Sequence, residues 1–283
     1  MRKLIVAATA SSLIVLGLAV PSALGATPTS NAKVVIIVGP VAGSTSSYKS
    51  DADAAAAEAL KYTTNVVKIY TPTATWAAAK AALQGASIVI YMGHGNGWPS
   101  PYGPFQTYTK DGLGLNPKAG TDNSTTQYWG EYYLARDIRL APNAIVLLHH
   151  LCYSAGNSEP GNPDPTLSVA KQRVDNMAAG WLRTGARAVV AEVYNSGMWG
   201  GAAWYVRQLF TTSQTIDQMW RSNPNFHNHL LSFASSRTSG YTAQMDPDGV
   251  NKAPFGRSIV SAAGVWTQDV TGFKTRVAAT ASR

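Results

Sequence analysis

The chain has 283 residues, of which 45% are hydrophobic and 13% charged, with one cysteine and a formal net charge of +8. That hydrophobic fraction excludes a mainly disordered chain, and a lone cysteine excludes a disulfide framework, a zinc ribbon and a cysteine-ligated iron–sulfur cluster. Lys and Arg are scattered, with no basic run and no basic–aromatic alternation, so nucleic acid is not expected as a partner.

Residues 1–26 read as a signal peptide. Arg2 and Lys3 precede an apolar run from Leu4 to Val20, Pro21 ends the run, and small residues around Ala23-Leu24-Gly25-Ala26 suit cleavage. Residues 27–32 read as a linker. The expected mature protein is secreted or held in the cell envelope, without stable membrane insertion.

Lys33 to Gly39 is a continuous apolar, β-branched run, the pattern of a strand buried on both faces. Asp51 to Tyr62 is Ala-rich with acids near its start and reads as a helix. Asn65 to Tyr70 reads as a strand, Thr75 to Gln84 as a helix stopped by Gly85, and Ala86 to Met92 as a third buried strand running into Gly93-His94-Gly95. Residues 98–127 read as a long aromatic-rich excursion, and Tyr128 to Ile138 as a helix. Asn143 to Leu151 is a fourth strand, leading into Cys152. After a Pro-rich loop come a helix (Leu167 to Thr184), a strand (Arg187 to Tyr194), a helix (Gly197 to Phe210) and a short helix (Thr215 to Arg221). Ser258 to Val270 reads as one or two strands.

Strands alternating with helices of this length imply right-handed crossovers and a mainly parallel sheet, hence an α/β domain over residues 33–221. Residues 222–283 form a C-terminal extension able to complete that domain. Ligands bind outside the carboxyl ends of parallel strands. His94 and Cys152 follow two successive strand ends, where an imidazole beside a thiol supplies nucleophilic catalysis by lowering the thiol pKa or by taking its proton. The amides of Gly95 and Cys152 are the expected oxyanion donors. His150, Glu192, Asn195 and Trp98 are the expected substrate-binding residues. With strict strand alternation, His150 shares a face with Cys152.

Three segments carry a family resemblance: Ile88-Val89-Ile90-Tyr91-Met92-Gly93-His94-Gly95, Ile145 through Leu151-Cys152-Tyr153-Ser154-Ala155-Gly156, and Trp181 through Gly185-Ala186 to Ala191. Their order resembles the caspase-like cysteine peptidases, a group that includes caspases, gingipains, clostripain-like enzymes and separase-type domains. The resemblance implies a three-layer α/β/α fold, a His94–Cys152 dyad, a thioester intermediate and a peptide or protein substrate. It implies no cofactor and no metal for the chemistry. Two positions depart from the family: Ser154 stands where many members have Gly, and Asn195 stands where members that cleave after basic residues carry an acid.

Two alternatives use other residues. A serine hydrolase would take Ser154 as nucleophile, with an Asp such as Asp217 and His227 or His229 following. A non-catalytic cell-surface binding protein with a degenerate peptidase-like fold would keep the aromatics of residues 98–133 (Trp98, Tyr102, Phe105, Tyr108, Tyr128, Trp129, Tyr132, Tyr133) as a gripping surface.

Overall fold

A computed structural model of the chain describes residues 30–194, 201–248 and 253–271. The signal segment, Asn195 and the expected start of a helix at Gly197 lie outside them. The described residues build an α/β fold around an eight-stranded, mostly parallel sheet.

The first strands and helices are β1 (Val34–Val38), α1 (Thr45–Ala59), β2 (Val66–Tyr70), α2 (Trp76–Leu83) and β3 (Ile88–Met92). A two-stranded ribbon follows, β4 (Leu113–Leu115) with β5 (Gln127–Trp129), then α3 (Glu131–Asp137), β6 (Ile145–His149), α4 (Leu167–Leu182) and β7 (Ala188–Glu192). The chain continues through α5 (Ala202–Thr211), α6 (Ile216–Arg221), β8 (Leu231–Ala234), β9 (Tyr241–Asp248), β10 (Ala253–Ala262) and α7 (Thr267–Thr271). Strand order is β2-β1-β3-β6-β7-β10-β9-β8. The five strands from β2 to β7 run parallel, and β10, β9 and β8 continue the sheet antiparallel. β8, β9 and β10 are therefore part of the same sheet as the parallel strands.

Strand alternation divides the core in two. Val35, Ile37, Val89, Tyr91, Val146, Leu148 and Val189 pack on one face against α2, α3 and α4. Val34, Ile36, Ile88, Ile90, Ile145, Leu147 and Val190 pack on the other against α1, α5 and α6. Strands buried on both faces read as unbroken apolar runs, which is why β1, β3, β6 and β7 were legible. Helix starts are chemically marked: Thr75 accepts from the Ala78 N–H, Thr166 accepts from the Val169 N–H, and Thr215 with Gln218 forms a capping box.

Three expected elements differ. The helix expected over Asp51 to Tyr62 spans Thr45–Ala59. Its polar first turns lack helical periodicity but are anchored by tertiary contact, since the Tyr48 ring stacks on His150 and its hydroxyl donates to the His150 carbonyl at 3.1 Å. The helix expected over Tyr128 to Ile138 is a strand followed by a shorter helix. Gly130 separates them, because a Cβ there would lie 2.3 Å from the Thr107 carbonyl oxygen and the local chain paths pack backbone on backbone. The region expected as strand over Ser258 to Val270 is the end of β10 and then α7, where the Thr267 hydroxyl donates to the Thr212 carbonyl. Among the described residues no helix is long and apolar enough to cross a membrane.

Candidate active site

β3 and β6 are adjacent parallel strands, with Met92 opposite His149. His94 and Cys152 therefore emerge at the same end of neighbouring strands. The two segments touch through their backbones. A Cβ on Gly95 would lie 1.9 Å from the Cys152 carbonyl oxygen and 3.0 Å from its amide nitrogen. Only a glycine admits that approach without displacing the chain. Tyr91, fully buried, holds the His94 turn from below: its hydroxyl donates to the His94 carbonyl at 3.0 Å and accepts from the Gly114 amide at 2.8 Å.

The Cys152 turn carries three left-handed backbone positions within seven residues: His150 (φ 59°), Tyr153 (φ 64°) and Gly156 (φ 94°). Non-glycine residues adopt this region at a cost, and it concentrates at functional sites. The turn is held by Asn157, whose amide donates to the Leu151 and Ser158 carbonyls, and by buried Arg173, which donates to the carbonyls of Gly156 and Asn157.

His94, Gly95 and Cys152 line one cavity of about 540 Å³, together with Asn96, Tyr102, Gln106, Lys110, Tyr128 and Glu159. The loop of residues 98–110 forms a wall of this cavity. Lys110 donates to the Asn96 side-chain oxygen at 2.8 Å and to the Ser100 hydroxyl at 3.1 Å. Glu159 accepts from Tyr102 and, at 2.8 Å, from Asn162. Sequence reasoning missed Glu159 and Lys110 because each is a lone charge in an irregular loop, with no motif attached.

The electrostatics correct one expectation. His94 does not hold Cys152 as a thiolate. Burial pushes the Cys152 thiol up to about 12, the nearby Glu159 charge pushes the same way, and the residue's own amide N–H opposes them only in part. Burial also lowers the His94 pKa, against the pull of Glu159. Both shifts favour the uncharged forms, so a neutral thiol and a neutral imidazole line the same cavity.

Three expected substrate-binding residues lie elsewhere. His150 is turned away from the cavity by its left-handed backbone, which breaks the strand alternation; its ring lies between Asp51 (Nε2 to Oδ2, 3.0 Å), Tyr48 and the Tyr194 carbonyl. Glu192 is buried inside the sheet, its Oε2 2.8 Å from His149 Nδ1 and its Oε1 3.2 Å from Arg257 Nε. Burial opposes its ionisation, but His149 and Arg257 outweigh that and hold its carboxyl down at about 2. Trp98 does not line the cavity; its ring centroid is 6.1 Å from that of Phe105 and its amide donates to buried Asp111. The expected aromatic surface is divided. Tyr102 and Tyr128 face the cavity, whereas Trp129 stacks on Trp76 at 5.1 Å and Tyr133 packs on both.

Ser154 is buried, and its hydroxyl donates to the Leu151 and Glu192 carbonyls. The amides of His227 and His229 both donate to Asp246, beside β9. No protein-family model matches the chain, and no curated protein matches it.

Proposed function

We propose that the chain is a thiol-dependent hydrolase of peptide or amide bonds with a caspase-like core, using Cys152 as nucleophile and His94 as general base and acid. The observation that carries this reading is the contact of the His94-Gly95 and Cys152 segments at the ends of adjacent parallel strands, both opening on one cavity. The neutral imidazole takes the thiol proton as sulfur attacks the carbonyl carbon. The Gly95 and Cys152 amides stabilise the resulting oxyanion. The C–N bond then breaks, and the imidazolium delivers its proton to the leaving amine. A water deprotonated by His94 adds to the thioester carbonyl, the C–S bond breaks, and sulfur recovers the proton. Glu159, beside the thiol, favours a substrate with a cationic side chain over an anionic one.

The test is turnover of peptide-amide substrates with Arg, Gln or Glu before the scissile bond, with an acyl adduct on Cys152 sought by mass spectrometry. Turnover, the adduct and loss of both in Cys152→Ala and His94→Ala are expected, with Ser154→Ala active. Hydrolysis that survives Cys152→Ala would sink the proposal. The raised thiol also favours a second reading, a non-catalytic peptide-binding protein using the same aromatic-lined cavity. Saturable peptide binding without turnover or adduct would select it.

A further inference from the structure

Apart from the residues that line the cavity, Asp51 of α1 meets His149 and His150 at the end of β6. One ligand atom from each lies within 4.8 Å of the others, and the two imidazole centroids are 4.0 Å apart. Consecutive strand residues ordinarily point to opposite faces. The left-handed backbone at His150 (φ 59°) is what folds its ring back beside that of His149. Such strain in a non-glycine residue persists where the surroundings impose it, commonly at ligand sites.

The hydrogen-bond partners suit a bound cation. His150 Nδ1 lies 3.2 Å from the Tyr194 carbonyl oxygen and its Nε2 lies 3.0 Å from an Asp51 carboxylate oxygen. With the hydrogen on Nδ1, Nε2 presents its lone pair beside that carboxylate, the arrangement in which a metal-bound imidazole is held by its outer partner. Behind the pair, Glu192 Oε2 stands 2.8 Å from His149 Nδ1, the position of the outer carboxylate that orients a metal-bound imidazole. The side chains of His149 and His150 are 5% and 11% exposed and that of Asp51 is 32% exposed, so the cluster is sheltered but open along α1.

We propose that Asp51, His149 and His150 form a binding site for a single divalent transition cation of the zinc class, with a water or an external ligand completing the coordination. Two imidazoles and one carboxylate select zinc, cobalt, nickel or copper over magnesium and calcium, which take oxygen ligands. Ligand atoms around tetrahedral zinc sit about 2.0–2.2 Å from the metal, hence about 3.3 Å from one another. The His150–Asp51 pair is already at 3.0 Å, and the His149 ligand atom lies within 4.8 Å of both, so a small side-chain adjustment brings it into the shell. The cation ties α1 to the turn that carries Cys152.

The experiment is titration of the chelator-stripped full chain with Co²⁺, read by visible ligand-field absorption, and with Zn²⁺ in competition with a chromophoric chelator. One metal per chain is expected, with at least tenfold weaker binding in Asp51→Asn and in His150→Gln. The double variant His227→Gln/His229→Gln, which alters the other His pair, is expected to bind as the parent does. Zinc should raise the melting temperature of the parent and not of Asp51→Asn, which also reports whether that variant is folded. Absence of stoichiometric binding would overturn the assignment. So would binding that survives Asp51→Asn and His150→Gln, or that disappears with the His227/His229 pair. Activity does not enter the readout, so the result is independent of the thiol chemistry.

Discussion

Gly95→Ala is the sharpest test of how the site is built. The added Cβ would lie 1.9 Å from the oxygen, 2.8 Å from the carbon and 3.0 Å from the nitrogen of the Cys152 backbone. All three are main-chain atoms, so no side-chain rotation relieves the clash. Ordinary contact begins at 3.4 Å, so the ends of β3 and β6 must part by about 1.5 Å. Overpacking of this kind costs about 1–3 kcal/mol. At about 2–4 °C per kcal/mol for a domain of this size, the melting temperature should fall by about 2–12 °C. The same displacement separates His94 from Cys152, and misplacement of about 1 Å costs about a hundredfold in rate. Thermal unfolding by circular dichroism measures the first effect, and peptide-amide turnover the second. Gly43→Ala is the control: no atom lies within 4 Å of its Cβ position, so that variant should melt with the parent. If Gly95→Ala also melts and turns over with the parent, the two segments are not in contact and the dyad argument fails.

Cys152 should be slow toward iodoacetamide in the folded chain, with EDTA present to keep metals out. A thiol at about 12 in place of 9.0 carries about a thousandfold less thiolate, and its greater basicity returns about 20- to 30-fold in nucleophilicity. Labelling below pH 9 should therefore be about 30- to 50-fold slower than in the urea-unfolded chain, and Glu159→Gln should accelerate it; equal or faster labelling of the folded chain contradicts the neutral-thiol site. Glu131→Gln should be destabilising. Glu131 is fully buried and pairs with Arg183 at 3.2 Å and Arg237 at 2.9 Å, but both guanidinium groups reach solvent, so losing the charge costs about 1–3 kcal/mol; urea unfolding measures it. Acid should remove the stabilisation carried by Glu58. Burial opposes its ionisation, but Arg207, Lys61 and Tyr62 hold the folded carboxyl at about 2, below its ordinary 4.5. That contribution is complete above about pH 5 and is lost as pH falls toward 2, a loss that Glu58→Gln should not show. Asp111 behaves in the opposite sense. Burial, with Glu131 nearby, raises its carboxyl to about 8, so the folded state holds a proton the unfolded chain releases near 3.8. Stability should decline as pH rises from about 4 to 8, and Asp111→Asn should flatten that decline in melting curves.

The sequence by itself determined the parallel core. β1, β3, β6 and β7 are buried on both faces, so their apolar runs announce them without tertiary knowledge. Thr75, Thr166 and Thr215 carry their helix-capping chemistry locally, and a strand–helix alternation fixes the crossover sense. The positions of His94 and Cys152 after successive strands followed from the same reading, and adjacency of β3 with β6 brought the two segments into contact. Tertiary structure alone decided the rest. The first turns of α1 are polar and form because Tyr48 docks on His150. Glu159 and Lys110 reach the cavity from loops, where no periodicity reports direction. His150 was expected to face the cavity, because a sequence shows the period of a strand but not where one left-handed residue ends it. That single backbone sign places His150 beside Asp51 and His149, and the protonation of Cys152 likewise depends on burial and on Glu159, quantities that exist only once the chain is folded.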